Sequence, residues 1–269
     1  MMRGRKTMVT AVRRPRGEVA IDVQPLSALY SGRLRRAPLI RGIIVLIESL
    51  VLGIKSLFYS ANAALEEEEK LSGGLVWIIM VVGLGVAVAL FFIVPLLLTR
   101  LLNISSSLLF NLVDGLIRVA IFIAYLKLMA LLPDIKRAFA YHGAEHKVVN
   151  TYEAGVPLEL EAIKNYSKAH LRCSTSFLFA VVIISIIVFA LVGLHSTWLM
   201  VLSRILLIPV IAALGYEVIY FGGRHASNRL VRIVMAPGLW LQALTTKEPD
   251  DSQLEVAAVA LKKVMEIDE

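Results

Sequence analysis

A chain of 269 residues with 58% hydrophobic and only 18% charged side chains is too apolar for an ordinary soluble globule, which carries about 25% charged residues. Disorder, a collagen-like repeat and a secreted disulfide scaffold are excluded, and the single cysteine, Cys173, can close no internal disulfide. A net charge of +7 would suggest nucleic acid in a soluble protein. In a membrane protein it reflects orientation and anionic lipid, so no nucleic-acid partner is expected.

Taken in chain order, the arm 1–36 opens with a predicted hairpin over Thr7–Val23. Two runs flank Pro15-Arg16-Gly17, and Val19, Ile21 and Val23 alternate with polar or small residues. A lone hairpin is marginal in water, so this one is expected to pack on another element. The first 20 residues are basic and lack an apolar run, so no cleavable signal peptide is expected. Segment 37–64 carries Arg41, Glu48 and Lys55 seven residues apart. That is nearly two helical turns, so the charges form one stripe on an apolar helix, predicted to lie in the interface or to re-enter. The acidic run Glu66–Glu69 reads as a solvated cap.

Four segments are long enough to cross a bilayer, which takes about 20 apolar residues: Gly73–Thr99, Leu109–Leu132, Phe177–Leu194 and Trp198–Phe221. They form two pairs, 73–132 and 176–221, around a loop at 133–175, with a tail at 222–269. The arm, the Glu66–Lys70 region, the loop and the tail carry 9, 1, 6 and 6 of the 28 lysines and arginines. The positive-inside rule therefore favours four spans, with both termini cytoplasmic. The expected fold is an all-α integral membrane protein with four transmembrane helices, the amphipathic helix, a small N-terminal β-hairpin and cytoplasmic helices. The expected location is the bacterial cytoplasmic membrane, multi-pass.

The spans contain charges. Asp114 and Arg118 are four residues apart and can pair on one helix face, Lys127 can snorkel, and Arg204 and Glu217 lie in the last span. These five residues form either an ion-pair network fixing helix register or a polar path or lipid-headgroup pocket leading to the loop. In the tail, Gly222-Gly223-Arg224 reads as a basic turn. Asn228–Leu244 reads as an interfacial segment broken at Pro237-Gly238, with Trp240 and Leu241 at the boundary. The last helix, over Gln253–Val264, is predicted to start with a capping box of Ser252 and Glu255 and to dock through Leu254, Val256 and Val259.

The chemistry concentrates in the loop. His142-Gly143-Ala144-Glu145-His146 places two imidazoles one turn apart with a carboxylate beside them, the inverted-zincin order. His142 and His146 can hold a divalent metal, of which zinc fits best, and Glu145 can act as general base. If the helix continues, Asn150 and Glu153 share that face, and Glu153 is a candidate third ligand. His170 and Cys173, three apart, can also face one site, with burial as a small apolar residue the alternative for Cys173. A hydrogen-bonded polar loop without metal and a pH-responsive histidine cluster stay open beside the metal reading.

Tyr141 to His146, Tyr152-Glu153, His170 to Cys173 with Ser176-Phe177, Ala236-Pro-Gly-Leu-Trp-Leu-Gln242, Thr245-Thr246, Glu248-Pro-Asp250 and the Met2-Arg3-Gly4 start together resemble the bacterial YqhQ-like membrane protein family. The match runs through almost the whole chain. The resemblance implies a polytopic membrane protein with a domain of unknown function, described generally as a predicted metal-dependent enzyme, and it brings no reaction. It implies a Gly-rich piece ahead of Met1. Where the family favours Pro and Gly beside the cysteine, this chain has Leu171 and Ser174. The expected function is a metal-dependent, hydrolase-like membrane enzyme with a site on the cytoplasmic side. Its expected partners are membrane lipids, a lipid-linked substrate and further copies in a homo-oligomer. The alternative is a non-catalytic lipid-binding or scaffolding protein whose polar cluster is structural.

Overall fold

The N-terminal arm folds as three antiparallel strands in the order β1 (Met2–Arg3), β2 (Thr7–Arg13) and β3 (Val19–Pro25). The structure, a computed structural model, describes residues 1–27, 30, 32, 35, 37–64, 73–193, 196–225 and 227–269. The Glu66–Glu69 run and Leu194 lie outside the described residues. Gly17, in the turn between β2 and β3, has φ +90°, a left-handed conformation that costs glycine little.

The alternating residues of β3 do not form the packed face. Ile21 and Val23 are 40% and 39% exposed, while Thr7 to Thr10 of β2 are all buried. The reason is position. β2 is the central strand, and helices cover both of its faces, whereas β3 is an edge. Val9 packs with Leu254 and Leu261 on one side. On the other, the Thr10 and Ser56 hydroxyls hydrogen-bond at 2.6 Å.

Helix α1 (Ile40–Ala64) supplies that second cover. Two of the three charges in its predicted stripe turn inward rather than to solvent. Arg41 pairs with Glu217, and Glu48, buried, pairs with Arg3 at 2.8 Å and also with Arg35. Lys55 is exposed. Ile43, Ile47, Leu50 and Leu57 are exposed too, so the face α1 turns away from the protein is mostly apolar.

α2 runs from Gly73 to Leu101, with a π-helical turn at Ala89–Ile93 between its α-helical parts Gly73–Val88 and Val94–Leu101. The wider turn lets neighbouring phenylalanines both face inward. Phe91 meets Phe122 and Tyr125 edge-on, at 5.8 and 5.4 Å between ring centroids. Phe92 meets Phe189 at 6.4 Å. α3 (Ser107–Met129) starts at Ser106, whose side chain accepts from Leu109 N. α4 (Pro133–Glu153) and the short α5 (Leu160–Lys164) follow. Then come α6 (Ser174–Val192), α7 (Thr197–Leu206), α8 (Ile208–Arg224), α9 (Arg229–Thr245) and α10 (Asp251–Asp268). α6 is the hub of the apolar layer, packing on α3, α8 and α9. β2, α4 and α10 pack together as a second layer.

Four helices among the described residues are long and apolar enough to cross a membrane: Ile40–Ala63, Gly73–Leu101, Ser107–Met129 and Ser174–Val192. Segment 37–64 thus qualifies by length and composition alone. Trp198–Phe221 is not one straight helix, because α7 and α8 meet at a 46° bend. Pro209, in the first turn of α8, lacks the N–H needed to continue α7. With that pair taken as one span, the number of candidates is five.

Four of the five charges that the sequence places in the spans are paired. Arg118 donates to Asp114 at 2.6 Å and to Ser185, and Arg204 lies 3.7 Å from the same carboxylate. Both guanidiniums are fully buried and lie over the Phe189 ring, at 5.0 and 4.2 Å from its centroid. Glu217 pairs with Arg41 and accepts from Leu39 N at 2.9 Å. Lys127 is exposed.

Three readings of the tail change. Gly222 and Gly223 lie inside α8, where a Cβ would meet Met235 at 2.9 Å and Arg172 at 2.7 Å respectively. They serve close packing rather than a turn. α9 runs unbroken through Pro237, and the adjoining Gly238 lets it approach Ser176 of α6. The last helix is capped two residues earlier than its sequence predicts. Asp250 accepts from Gln253 N at 2.8 Å, and Gln253 accepts in return from Asp250 N at 3.0 Å. Of the expected docking face, Leu254 and Val256 are buried and Val259 is half-buried.

Candidate functional site

The 133–175 loop is mostly helix. α4 continues past the motif to Glu153, so His142 and His146 do sit one turn apart, with ring centroids at 4.4 Å. The small residues between them have packing reasons. A Cβ on Gly143 would stand 2.1 Å from the Lys247 carbonyl, because the chain leaving α9 runs against this turn and Lys247 N donates to Phe139 O at 2.9 Å. Ala144, fully buried, packs in the cluster with α10.

Each imidazole is held by a main-chain carbonyl. His142 Nδ1 lies 3.0 Å from Thr245 O, and His146 Nδ1 lies 2.7 Å from Lys168 O. A carbonyl can only accept, so both Nδ1 atoms carry hydrogen and both Nε2 atoms keep a lone pair in the neutral rings. His142 Nε2 faces Cys173 Sγ at 3.3 Å. Cys173 caps the start of α6 and is 4% exposed. One donor atom from each of His142, His146 and Cys173 falls within 4.8 Å of the others.

Burial would push the Cys173 thiol up, but hydrogen bonds from His142 and His146 outweigh it and bring it down to about 5. Burial likewise opposes the charged form of His142, yet the thiolate beside it holds its pKa above the usual histidine value. The pair stabilises thiolate and imidazolium together. Two imidazole nitrogens and a thiolate, each already oriented, are a donor set that could hold a zinc-like ion, with the outer hydrogen bonds such sites use.

The other predicted ligands engage one another outside that group of three, although the His170 ring lies 5.8 Å from the His146 ring. Glu153 receives Arg172 at 2.5 Å and lies 3.4 Å from His170 Nε2. His170 is pulled below its ordinary pKa, chiefly by burial. Asn150 donates to Ser167 O and Ala169 O, at 2.7 and 3.1 Å. Glu145 is half-buried and lines a cavity with Tyr141 and His142.

Several positioning groups carry no ligand signature in the sequence. Gln242, 1% exposed, accepts from His170 N at 3.0 Å and donates to His170 O at 2.8 Å and to Ser176 at 2.7 Å, pinning the chain that leads into Cys173. Lys147 is buried, yet it reaches Lys164 O at 2.8 Å and Glu248 at 2.5 Å. Only the resemblance motifs around Gln242, Thr245 and Glu248 single out this neighbourhood.

A family model described as "Protein of unknown function (DUF1385)" matches residues 37–267. The chain is 34% identical over 289 aligned positions to the "Uncharacterized protein YqhQ" of Bacillus subtilis (strain 168), covering 100% of this chain and 90% of that relative. No solved structure matches significantly.

Proposed function

The chain belongs to the DUF1385 family, whose description assigns no reaction, and from its geometry we propose a metal-dependent, hydrolase-like enzyme of the bacterial cytoplasmic membrane. His142 and His146 would hold a divalent ion, zinc by its preference for nitrogen and sulfur, through Nε2, with Cys173 as the thiolate ligand. One observation carries this reading. Both Nδ1 atoms are committed to main-chain carbonyls, so Nε2 is the nitrogen each ring has left for an ion, and His142 Nε2 stands 3.3 Å from Cys173 Sγ in a group of three donors within 4.8 Å of one another.

Bound there, the ion would supply Lewis acidity to a substrate reaching the adjoining cavity. Glu145, on the wall of that cavity, takes a proton from the attacking water. Thr245 and Lys168 hold the two rings in one tautomer. The Glu153–Arg172 pair keeps a competing carboxylate away from the cluster.

Several observations support insertion as four spans with both termini cytoplasmic. Arg5 N and Lys6 N donate to Asp268, so the two ends of the chain adjoin and the number of crossings between them is even. Five candidates must then lose one. The middle of α1 touches the N-terminal sheet through Glu48–Arg3 and Ser56–Thr10, a contact suited to a helix lying along the membrane surface. α2 presents Trp77, Ile78 and Val81 outward, as a lipid-facing helix does.

The direct test is elemental analysis of purified wild-type protein and the His142→Ala/His146→Ala variant. One equivalent of metal per chain, lost in the variant, is the expected result. Zero metal in the wild type, or an amount the substitutions leave unchanged, removes the basis of the reading. One observation favours a second reading. All three side chains have hydrogen-bond partners within the protein, so the cluster can act as a polar staple in a non-catalytic lipid-binding scaffold. In that case His146→Ala lowers the melting temperature, and no metal is lost.

A further inference from the structure

We propose that the cavity beside the His142–His146–Cys173 cluster binds the phosphate-bearing headgroup of a membrane lipid. The inference deepens the function proposed above and rests on the same site, but it stands on different residues.

The cavity encloses about 1000 Å³, the upper end of the roughly 300–1,000 Å³ usual for small-molecule sites. Its walls come from elements of different character. α4 contributes Arg137, Tyr141, His142 and Glu145; β2 and its turn contribute Arg13 and Arg14; α1 contributes Ser56, Leu57 and Ser60. α4 and the sheet therefore bring charged and titratable groups to the cavity, and α1 brings two hydroxyls and Leu57.

The arginines at the cavity offer donors for an anion. Arg13 is engaged by Glu255 at 2.5 Å, with its Nε buried and unpartnered. Arg14 and Arg137 are exposed at the cavity. Asp134 and Glu145 also line it, so with Glu255 counted three guanidiniums meet three carboxylates, and what suits an anion is the exposure and fork of Arg14 and Arg137 rather than a net charge. Guanidinium forks suit phosphate oxygens. Glu145 lies beside the donor cluster, where a carboxylate is best placed to act on water rather than to repel the anion.

The apolar part of the ligand follows from α1. Leu57, 72% exposed, lies at the cavity and continues the outward face of Ile43, Ile47 and Leu50. A headgroup resting between Arg14 and Arg137 would leave its acyl chains running over Leu57 onto that face. A soluble phosphate ester would have no use for it.

The test uses the full chain in non-ionic detergent, stripped of metal by a chelator, with binding read by calorimetry. The probes are dihexanoyl phosphatidic acid, dihexanoylglycerol and inorganic phosphate. The comparison is wild type against Arg14→Gln/Arg137→Gln, whose melting temperature should be unchanged because both side chains are exposed. Phosphatidic acid should bind at least tenfold more tightly than either other probe and weaken at least tenfold in the variant. Equal binding of dihexanoylglycerol, equal binding of inorganic phosphate, or indifference to the two substitutions overturns the inference. Metal content, measured before stripping, keeps the two claims separate. One metal per chain without arginine-dependent lipid binding ends the headgroup claim alone. Arginine-dependent lipid binding in a protein that never holds metal upholds the headgroup claim and ends the hydrolytic centre.

Discussion

Cys173 shows how a few contacts can outweigh burial. A buried thiol is normally harder to ionise, yet His142 and His146 bring this one down to about 5 from an ordinary 9.0. A depressed pKa means thiolate at every pH above about 5. In metal-free protein the thiolate ultraviolet band should therefore appear near pH 5, and His142→Ala should move its midpoint upward. A midpoint near 9 in the wild type would contradict the geometry. Because the same contact raises His142, protons compete with metal at Nε2, and metal affinity should fall as the solution is acidified. Gly143 gives a second residue-scale prediction. Gly→Ala inside a helix usually stabilises by about 0.5–1 kcal/mol. Here the new methyl would stand 2.1 Å from the Lys247 carbonyl, so Gly143→Ala should instead destabilise by about 1–3 kcal/mol, read as a lower melting temperature. The spacing of His142 and His146 was legible because α4 is a regular helix. The chain between α5 and α6 is not helical, so the spacing of three between His170 and Cys173 implies no shared face by itself. The carbonyls of Thr245 and Lys168 could not be read at all, since every residue carries one.

Among the elements, α3, α6 and α7 meet at a buried ion cluster, and its sign predicts its sensitivity. Asp114 answers two guanidiniums, Arg118 and Arg204, and the aromatic faces of Phe92 and Phe189 supply the remaining attraction. Removing one partner of a buried ion group typically costs about 3–5 kcal/mol. Asp114→Ala should therefore lower the melting temperature in detergent far more than Lys127→Ala, whose side chain is exposed. Equal effects would show that the cluster is not the anchor between these helices. The pairing of Asp114 with Arg118 followed from their four-residue spacing. The part played by Phe92 did not, because it depends on a π turn whose extra residue is invisible to helical periodicity. The helix limits erred for related reasons. Asp250 rather than Ser252 caps α10, and both positions precede a residue able to complete a capping box. Pro237 reads as a breaker, yet α9 absorbs it where Gly238 lies against α6.

At the level of the whole molecule, hydropathy indicates which segments are apolar but not which of them cross. Segment 37–64 and the bent α7–α8 pair both pass on composition. The proposed four-span arrangement rests on tertiary contact instead, since α1 buttresses the N-terminal sheet and the chain ends adjoin at Asp268. A topology experiment follows. In a Cys173→Ser background, Glu18→Cys and Ser252→Cys should react with a membrane-impermeant maleimide from the same side, and Asn103→Cys, between α2 and α3, from the opposite side. Glu18→Cys and Asn103→Cys reacting from one side would refute the four-span arrangement.

The most direct measurement of the central claim is the absorption spectrum of the protein reconstituted with cobalt(II), a spectroscopic stand-in for zinc. Coordination by His142, His146 and Cys173 predicts one cobalt per chain with a thiolate-to-cobalt charge-transfer band, lost in Cys173→Ser and lost together with the bound metal in His142→Ala/His146→Ala. A spectrum without that band in the wild type, or a band that survives Cys173→Ser, would contradict it.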